Sequence, residues 1–157
     1  EDQGMPLAYH HHMGTIVETQ EDTERLLDNT HDSVKLTLDT GHMLFAKGDS
    51  KKIFENYNDR LLHVHCKDIR RNVLEKSLKE DLSFREAFLE GAFTVPGDGC
   101  IDYKPLFDIL KKNSYSGWLV VEAEQDPKKA NPLEYAIKGY KYLNDTLKKS
   151  DIEIDKK

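Results

Sequence analysis

Six of the seven histidines fall in three short stretches, each at or near the end of an apolar run. His10, His11 and His12 follow Leu7-Ala8-Tyr9. Asp39, with His42 three residues on, follows Leu36-Thr37-Leu38. His63 and His65 alternate with Leu62, Val64 and Cys66. Glu122 and Glu124 come directly after Trp118-Leu119-Val120-Val121. Mixed imidazole and carboxylate sets suit divalent ions such as Mn²⁺ or Co²⁺. The same groups move protons near neutral pH. Each has a plainer reading when taken alone. Three histidines in a row could be tag debris, although three is short for a tag and an apolar run leads into them. Asp39 before Thr40-Gly41 could cap a turn. A single His63 or His65 could be a satisfied core histidine, and Pro96-Gly97-Asp98-Gly99 is a turn by composition. Glu122 is harder to dismiss, because a carboxylate ending a buried strand needs a partner. Recurrence at four successive places is what points to a metal site.

Those places are strand ends. The pattern predicts strands over residues 6–12, 33–39, 61–66 and 117–123, the last apolar on both faces as in a buried parallel strand. Helices are expected between and after them. One opens at Thr19 with Leu26 and Leu27 on its apolar side, and one opens at Asp49 or Ser50 and runs to Tyr57. Another is capped by Ser83, runs to Leu89 and is stopped by Gly91. A fourth covers residues 105–112, with Leu106, Ile109 and Leu110 on one face. The last starts at Asn131-Pro132 and runs to Lys148, with Tyr135, Ile137, Tyr140 and Leu143 available to pack. Residues 67–81 read as a long charged connection and residues 150–157 as a frayed tail. Alternating strands and helices imply right-handed crossovers, and so an α/β fold with a parallel sheet. Ligands bind outside the carboxyl ends of such strands. Alternation puts His10 and His12 on one face and His11 on the other. His63 and His65 share a face, so one can coordinate while the other supports a substrate.

The bulk numbers exclude several classes. The chain has 157 residues, 29 acidic and 23 basic, for a net charge of -6. That balance, without a long Lys/Arg cluster, argues against nucleic acid as a partner. The longest apolar run has four residues, against roughly 20 for a spanning helix, so no membrane role is expected. Two cysteines, Cys66 and Cys100, make no disulfide framework, which points to a reducing cytoplasm. No signal peptide is expected at the start. Glu1 to Met5 reads like the middle of a longer protein. No linker divides residues 1–157, so they are treated as one segment.

Longer motifs then become specific. YHHHMGT (from Tyr9), LDTGHMLFAKGD (from Leu38), HVHCKDIR (from His63), FTVPGDGCIDY (from Phe93) and GWLVVEAEQDPKKANP (from Gly117) resemble the inosose dehydratase family of the xylose-isomerase-like barrel superfamily. The resemblance implies the C-terminal half of a (β/α)₈ TIM barrel, four parallel β/α units. A whole barrel takes about 250 residues. It implies a metal held by Asp39, His65, Glu122 and, where sugar epimerases have a glutamate, His10 or His12. It implies substrate contacts from His42 and from Arg70 or Arg71, and His63, on the face of His65, is a further candidate. Lys67, Asp68 and Asp98 could hold substrate hydroxyls or equally be loop charges. The implied reaction is removal of water from 2-keto-myo-inositol, a cyclic polyol ketone, to give a trihydroxycyclohexane-1,2-dione. Glu122 or Glu124 would be the base and His42 or His12 the acid. Mn²⁺ or Co²⁺ is the implied cofactor, with glutathione as a further one. The alternatives are a sugar isomerase or epimerase of the same superfamily and a catalytically incomplete half-barrel. In the last case the partner is a missing N-terminal half-barrel or a second copy.

Overall fold

The computed structural model describes residues 4–155. The three residues before Gly4 and the last two of the expected tail lie outside the described residues. The elements are β1 (Leu7–His10), α1 (Gln20–Asp28), β2 (Val34–Asp39), α2 (Thr40–Phe45), α3 (Ser50–Asn56), β3 (Leu61–Cys66), β4 (Asp68–Ile69), α4 (Arg71–Lys79), α5 (Phe84–Glu90), β5 (Phe93–Thr94), α6 (Tyr103–Lys112), β6 (Trp118–Val121) and α7 (Pro132–Lys149).

The four long strands form one parallel sheet in the order β1-β2-β3-β6. Parallel neighbours need crossover connections, and the helices supply them. Local chemistry fixes where those helices start. Thr19 with Asp22, and Ser83 with Glu86, form reciprocal capping boxes, each worth about 1 kcal/mol at the cap. Asn131 caps α7, which has Pro132 in its first turn. Gly91 ends α5 at φ 86°, a backbone state that glycine enters without a Cβ penalty.

One face of the sheet buries Leu36, Leu38, Val64 and Cys66 against Leu27, Phe54, Phe107, Leu110 and Leu143 of the helices. Each large side chain removed from water there contributes about 1.5–3 kcal/mol. Register puts Thr37, Asp39, His63, His65 and Trp118 on the opposite, concave face. That face is open among the described residues, and Trp118 is 70% exposed. The last strand is therefore not buried on both sides as its composition suggested. A second, smaller core of Phe45, Ile69, Leu74, Ala87, Ala92 and Phe93 supports the two-stranded β4–β5 ladder beside the carboxyl rim.

Three further expectations change. The charged connection contains β4 and α4, with Leu74 and Ser77 facing inward. Helix α7 packs through Gly139, Leu143, Thr146 and Leu147, while Ile137 and Tyr140 stay exposed. The start of the tail is tied down: Ser150 Oγ donates to Asp108 at 2.7 Å, and Ile152 packs on the main core. No helix of the described residues is long and apolar enough to cross a membrane.

Candidate active site

Asp39 does two things at once. It ends β2 and caps α2, its Oδ1 accepting from the His42 N–H at 2.8 Å. Its other oxygen, Oδ2, is buried and has no hydrogen-bond partner. The backbone is pinned as well, because the Asp39 N–H donates to Nε2 of His11 at 3.1 Å. His11 is fully buried, and burial pushes it down to about 3, so it is a neutral imidazole with its proton on Nδ1. Sequence alternation turned His11 away from the rim, and the structure agrees.

Two more unpartnered, buried atoms gather with Asp39 Oδ2, Nε2 of His10 and Nδ1 of His65, all within 4.8 Å of one another, and the unpartnered Oε2 of Glu122 stands beside His65. His10 and His65 each lie 3.7 Å from Asp39 Oδ2, and His65 Nδ1 lies 2.7 Å from Glu122 Oε2 without hydrogen-bond alignment. Metal–ligand bonds of about 2.0–2.2 Å bring neighbouring donor atoms to about this range of separations. Buried polar atoms are normally paired, so three orphans within 4.8 Å of one another, with a fourth beside His65, fit a divalent cation. Two imidazoles and two carboxylates are also a suitable donor chemistry. Burial alone would raise Asp39, but His10, His65 and Lys67 outweigh it and hold its carboxyl well below the usual range. Asp39, and after it Glu122, pull His65 up to about 9.

A second group stands beside the first. The ligand atoms of His12, His42 and Glu124 lie within 4.8 Å of one another. Between the two groups is Lys67, fully buried. Its Nζ donates to Glu124 Oε2 at 2.6 Å and to His42 Nε2 at 2.9 Å. It also lies 3.2 Å from Asp39 Oδ2 and 3.4 Å from Glu122 Oε2. Burial would lower this lysine, yet Asp39, Glu122 and Glu124 more than compensate and keep it charged. Burial would raise Glu124, but His42 and Lys67 bring it to about 2. Burial lowers His42, with Glu124 opposing. His12 is arranged differently. Its Nδ1 donates to the Met13 carbonyl at 2.7 Å, which leaves the Nε2 lone pair directed into the site. Its ring lies 3.7 Å from that of His42, and Phe84 and Phe93 wall the pair.

The structure thus brings His10, Asp39, His65, Glu122, His12, His42, Lys67 and Glu124 to one rim. His63 lies one step deeper on the concave face, its ring 5.3 Å from His65, and burial followed by His65 keeps it low. Arg70 is not part of the rim cluster. Its guanidinium is held by the Gly91 and Phe93 carbonyls, Thr94 and Asp98. Arg71 is exposed at the start of α4. Asp68 builds the loop by accepting from the N–H groups of Ile69, Gly97 and Ile101. Asp98 pairs with Arg70 and Lys138.

Three positioning residues were not anticipated. Thr40 Oγ1 and the Tyr103 hydroxyl bond each other, and both bond the Lys67 carbonyl, at 2.7 and 3.0 Å. Gly41 leaves room for the Lys67 stem, since a Cβ there would meet Lys67 Cγ at 2.7 Å. Thr40 and Gly41 lie inside the LDTGHM motif, so that signal was present. Tyr103 is the last residue of the FTVPGDGCIDY motif, so it too lay inside a recognised stretch, without a role assigned.

With this geometry in hand, comparison with known proteins defines the class. Residues 1–146 match the family model described as xylose isomerase-like TIM barrel, and the chain belongs to that family. Among curated proteins it is 52% identical over 146 residues to the inosose dehydratase of Clostridium beijerinckii, covering 92% of this chain and 49% of that protein. It is 51% identical over 142 residues to the inosose dehydratase of Bacillus licheniformis, covering 90% and 47%. The chain spans about half the length of these relatives. Among solved structures, the IOLI protein with a bound zinc atom aligns at TM-score 0.70 and 21% identity, over 96% of this chain and 51% of that one. The probable 3-DHS dehydratase AsbF of Bacillus anthracis aligns at TM-score 0.70 and 17% identity, over 91% and 50%. These two likenesses establish the fold, half of a TIM barrel.

Proposed function

We propose that this chain carries the metal-binding half of a hydro-lyase that removes water from 2-keto-myo-inositol. The observation that carries the reading is the gathering of buried, unpartnered donor atoms from the strand ends: His10 Nε2, Asp39 Oδ2 and His65 Nδ1 within 4.8 Å of one another, and Glu122 Oε2 beside His65. The half-length likeness to inosose dehydratases supports the substrate class. Mn²⁺ or Co²⁺ is the ion we assign to the four donors, and we take His10 rather than His12 as the first ligand because His10 Nε2 is the one grouped with Asp39 and His65. A divalent ion held there polarises a ketone and its neighbouring hydroxyl, which acidifies the α-carbon.

The chain's own groups do the rest. His12 offers the free proton-transfer atom. Its Nδ1 is committed to Met13, so Nε2 takes the α-proton and returns it to the departing β-hydroxyl as water leaves. The enol that remains relaxes to the dione. Glu124, 3.9 Å from His12 Nε2, stabilises the transient imidazolium. At about 2 Glu124 is too weakly basic to abstract a carbon-bound proton itself. The Nε2 of His42 is engaged by Lys67, so His42 orients rather than transfers. An imidazole in place of a carboxylate on the first strand works against two-base epimerisation. We also propose that turnover needs the concave face covered. Trp118 on that face, and Leu133 and Tyr140 along α7, are exposed, and the relatives are about twice as long. A complementary half-barrel is the partner we assign, in a reducing cytoplasm that suits the two free thiols.

The test is an assay of the chain alone and with a complementary half, on 2-keto-myo-inositol with Mn²⁺ or Co²⁺, with and without glutathione. Dione formation by the completed barrel is expected. Interconversion of ketoses without dione would overturn the dehydratase reading, and full activity of the chain alone would overturn the need for a second half.

A further inference from the structure

The rim offers two groups of potential metal ligands, and the Lys67 ammonium is hydrogen-bonded only into the second. We propose that Lys67 is a built-in cation that fills the second group, His12–His42–Glu124, so that the rim takes one divalent ion and not two. The inference rests on the metal reading of the first group and goes beyond it by giving Lys67 a role separate from substrate contact.

Four observations carry it. The Lys67 ammonium touches both His42 Nε2 and Glu124 Oε2, at 2.9 and 2.6 Å. These are two of the three donors of the second group. The same ammonium lies 3.2 and 3.4 Å from Asp39 Oδ2 and Glu122 Oε2 of the first group. Lys67 Nζ therefore stands against carboxylates of both groups at once, where a second cation would have to sit. Third, the placement is built and not incidental. The stem crosses Gly41 where a Cβ would collide, the carbonyl is clamped by Thr40 and Tyr103, and the ammonium faces the Phe93 ring at 5.4 Å. Fourth, charge closes. Asp39, Glu122 and Glu124 bring three negative charges around one ammonium, and the remaining two match a single divalent ion.

The experiment is a metal titration. The full chain is stripped with a chelator and dialysed to equilibrium against Mn²⁺, and bound metal is measured by elemental analysis. The native protein should bind one equivalent. Lys67→Met should bind two, Lys67→Arg should stay at one, and His12→Ala added to Lys67→Met should return the count to one. Circular dichroism confirms the fold of each variant. Two equivalents in the native protein would overturn the proposal, a result that needs no variant to fold. A folded Lys67→Met that still binds one equivalent would also overturn it. No bound ion in the native protein would overturn the metal reading of the first group itself, and this inference with it.

Discussion

The two clusters on the rim are made of the same residue types and share a neighbour, yet they differ in how their polar atoms are satisfied. In the His10–Asp39–His65–Glu122 group each named donor atom is buried without a hydrogen-bond partner. In the His12–His42–Glu124 group Lys67 supplies the charge, and Glu124 and the Nε2 of His42 are bonded to it. Composition cannot separate these two cases, because carboxylates and imidazoles occur in both. The difference lies in what comes from elsewhere in the chain. Lys67 reaches its place by running over Gly41, in the first turn of α2 just after β2 ends. The contrast teaches that several unsatisfied buried atoms gathered together mark a candidate ligand site, while carboxylate and imidazole atoms bonded to an ammonium are already neutralised.

The largest way to break that contrast is Asp39→Asn. Asparagine keeps a carbonyl oxygen for the α2 cap at His42 but replaces the free Oδ2 with a donor. Fold should survive, while metal affinity falls by more than the roughly 10–100-fold that outer partners of metal ligands cost. Elemental analysis after gel filtration reads this out, and native metal content in the variant would remove Asp39 from the donor set. Gly41→Ala acts on the second group. Its new Cβ meets three stem atoms of Lys67 at 2.7–3.0 Å, and overpacking of this kind costs about 1–3 kcal/mol. A fall in the urea midpoint is expected, and an unchanged midpoint would show that the stem is free to move.

The smallest effect is a pH slope. Glu124 lies at about 2 in the folded chain against an ordinary 4.5. A depressed carboxyl stabilises the fold above its ordinary value and loses that contribution as pH falls towards 2. The native chain should therefore lose slightly more stability than Glu124→Gln between about pH 4.5 and pH 2. The side chain is partly exposed, so screening keeps the difference modest. Parallel pH profiles would show that Glu124 is not paired as described.

Much of the scaffold was legible in the sequence because it is written in local chemistry. The bounds of β3 are those expected, Thr19, Ser83 and Asn131 cap as their types suggest, and Gly91 stops α5. Elements without a local signature were not legible. Helix α2 has six residues and rests on the Asp39 cap, too short for a helical period to show. Strands β4 and β5 pair over two residues each. Helix α4 hides its inward Leu74 and Ser77 among charges. At the site, strand-end residues could be listed in advance by type, but their division into two groups could not. It depends on contacts such as Lys67 with Glu124, 57 positions apart, and Asp39 with His11, 28 apart. The hydrogen bonds of Arg70 were not legible for the same reason, because its partners on the β4–β5 side are 21–28 residues away.

The central claim is that the orphaned donors of the first group are a divalent-cation site on which dehydration depends. Its most direct test is metal removal and restoration on the completed barrel, with dione formation from 2-keto-myo-inositol followed throughout. The account predicts no dione after chelation, and recovery that saturates as the first equivalent of Mn²⁺ or Co²⁺ is added back. Undiminished dione formation by verified metal-free protein would contradict it.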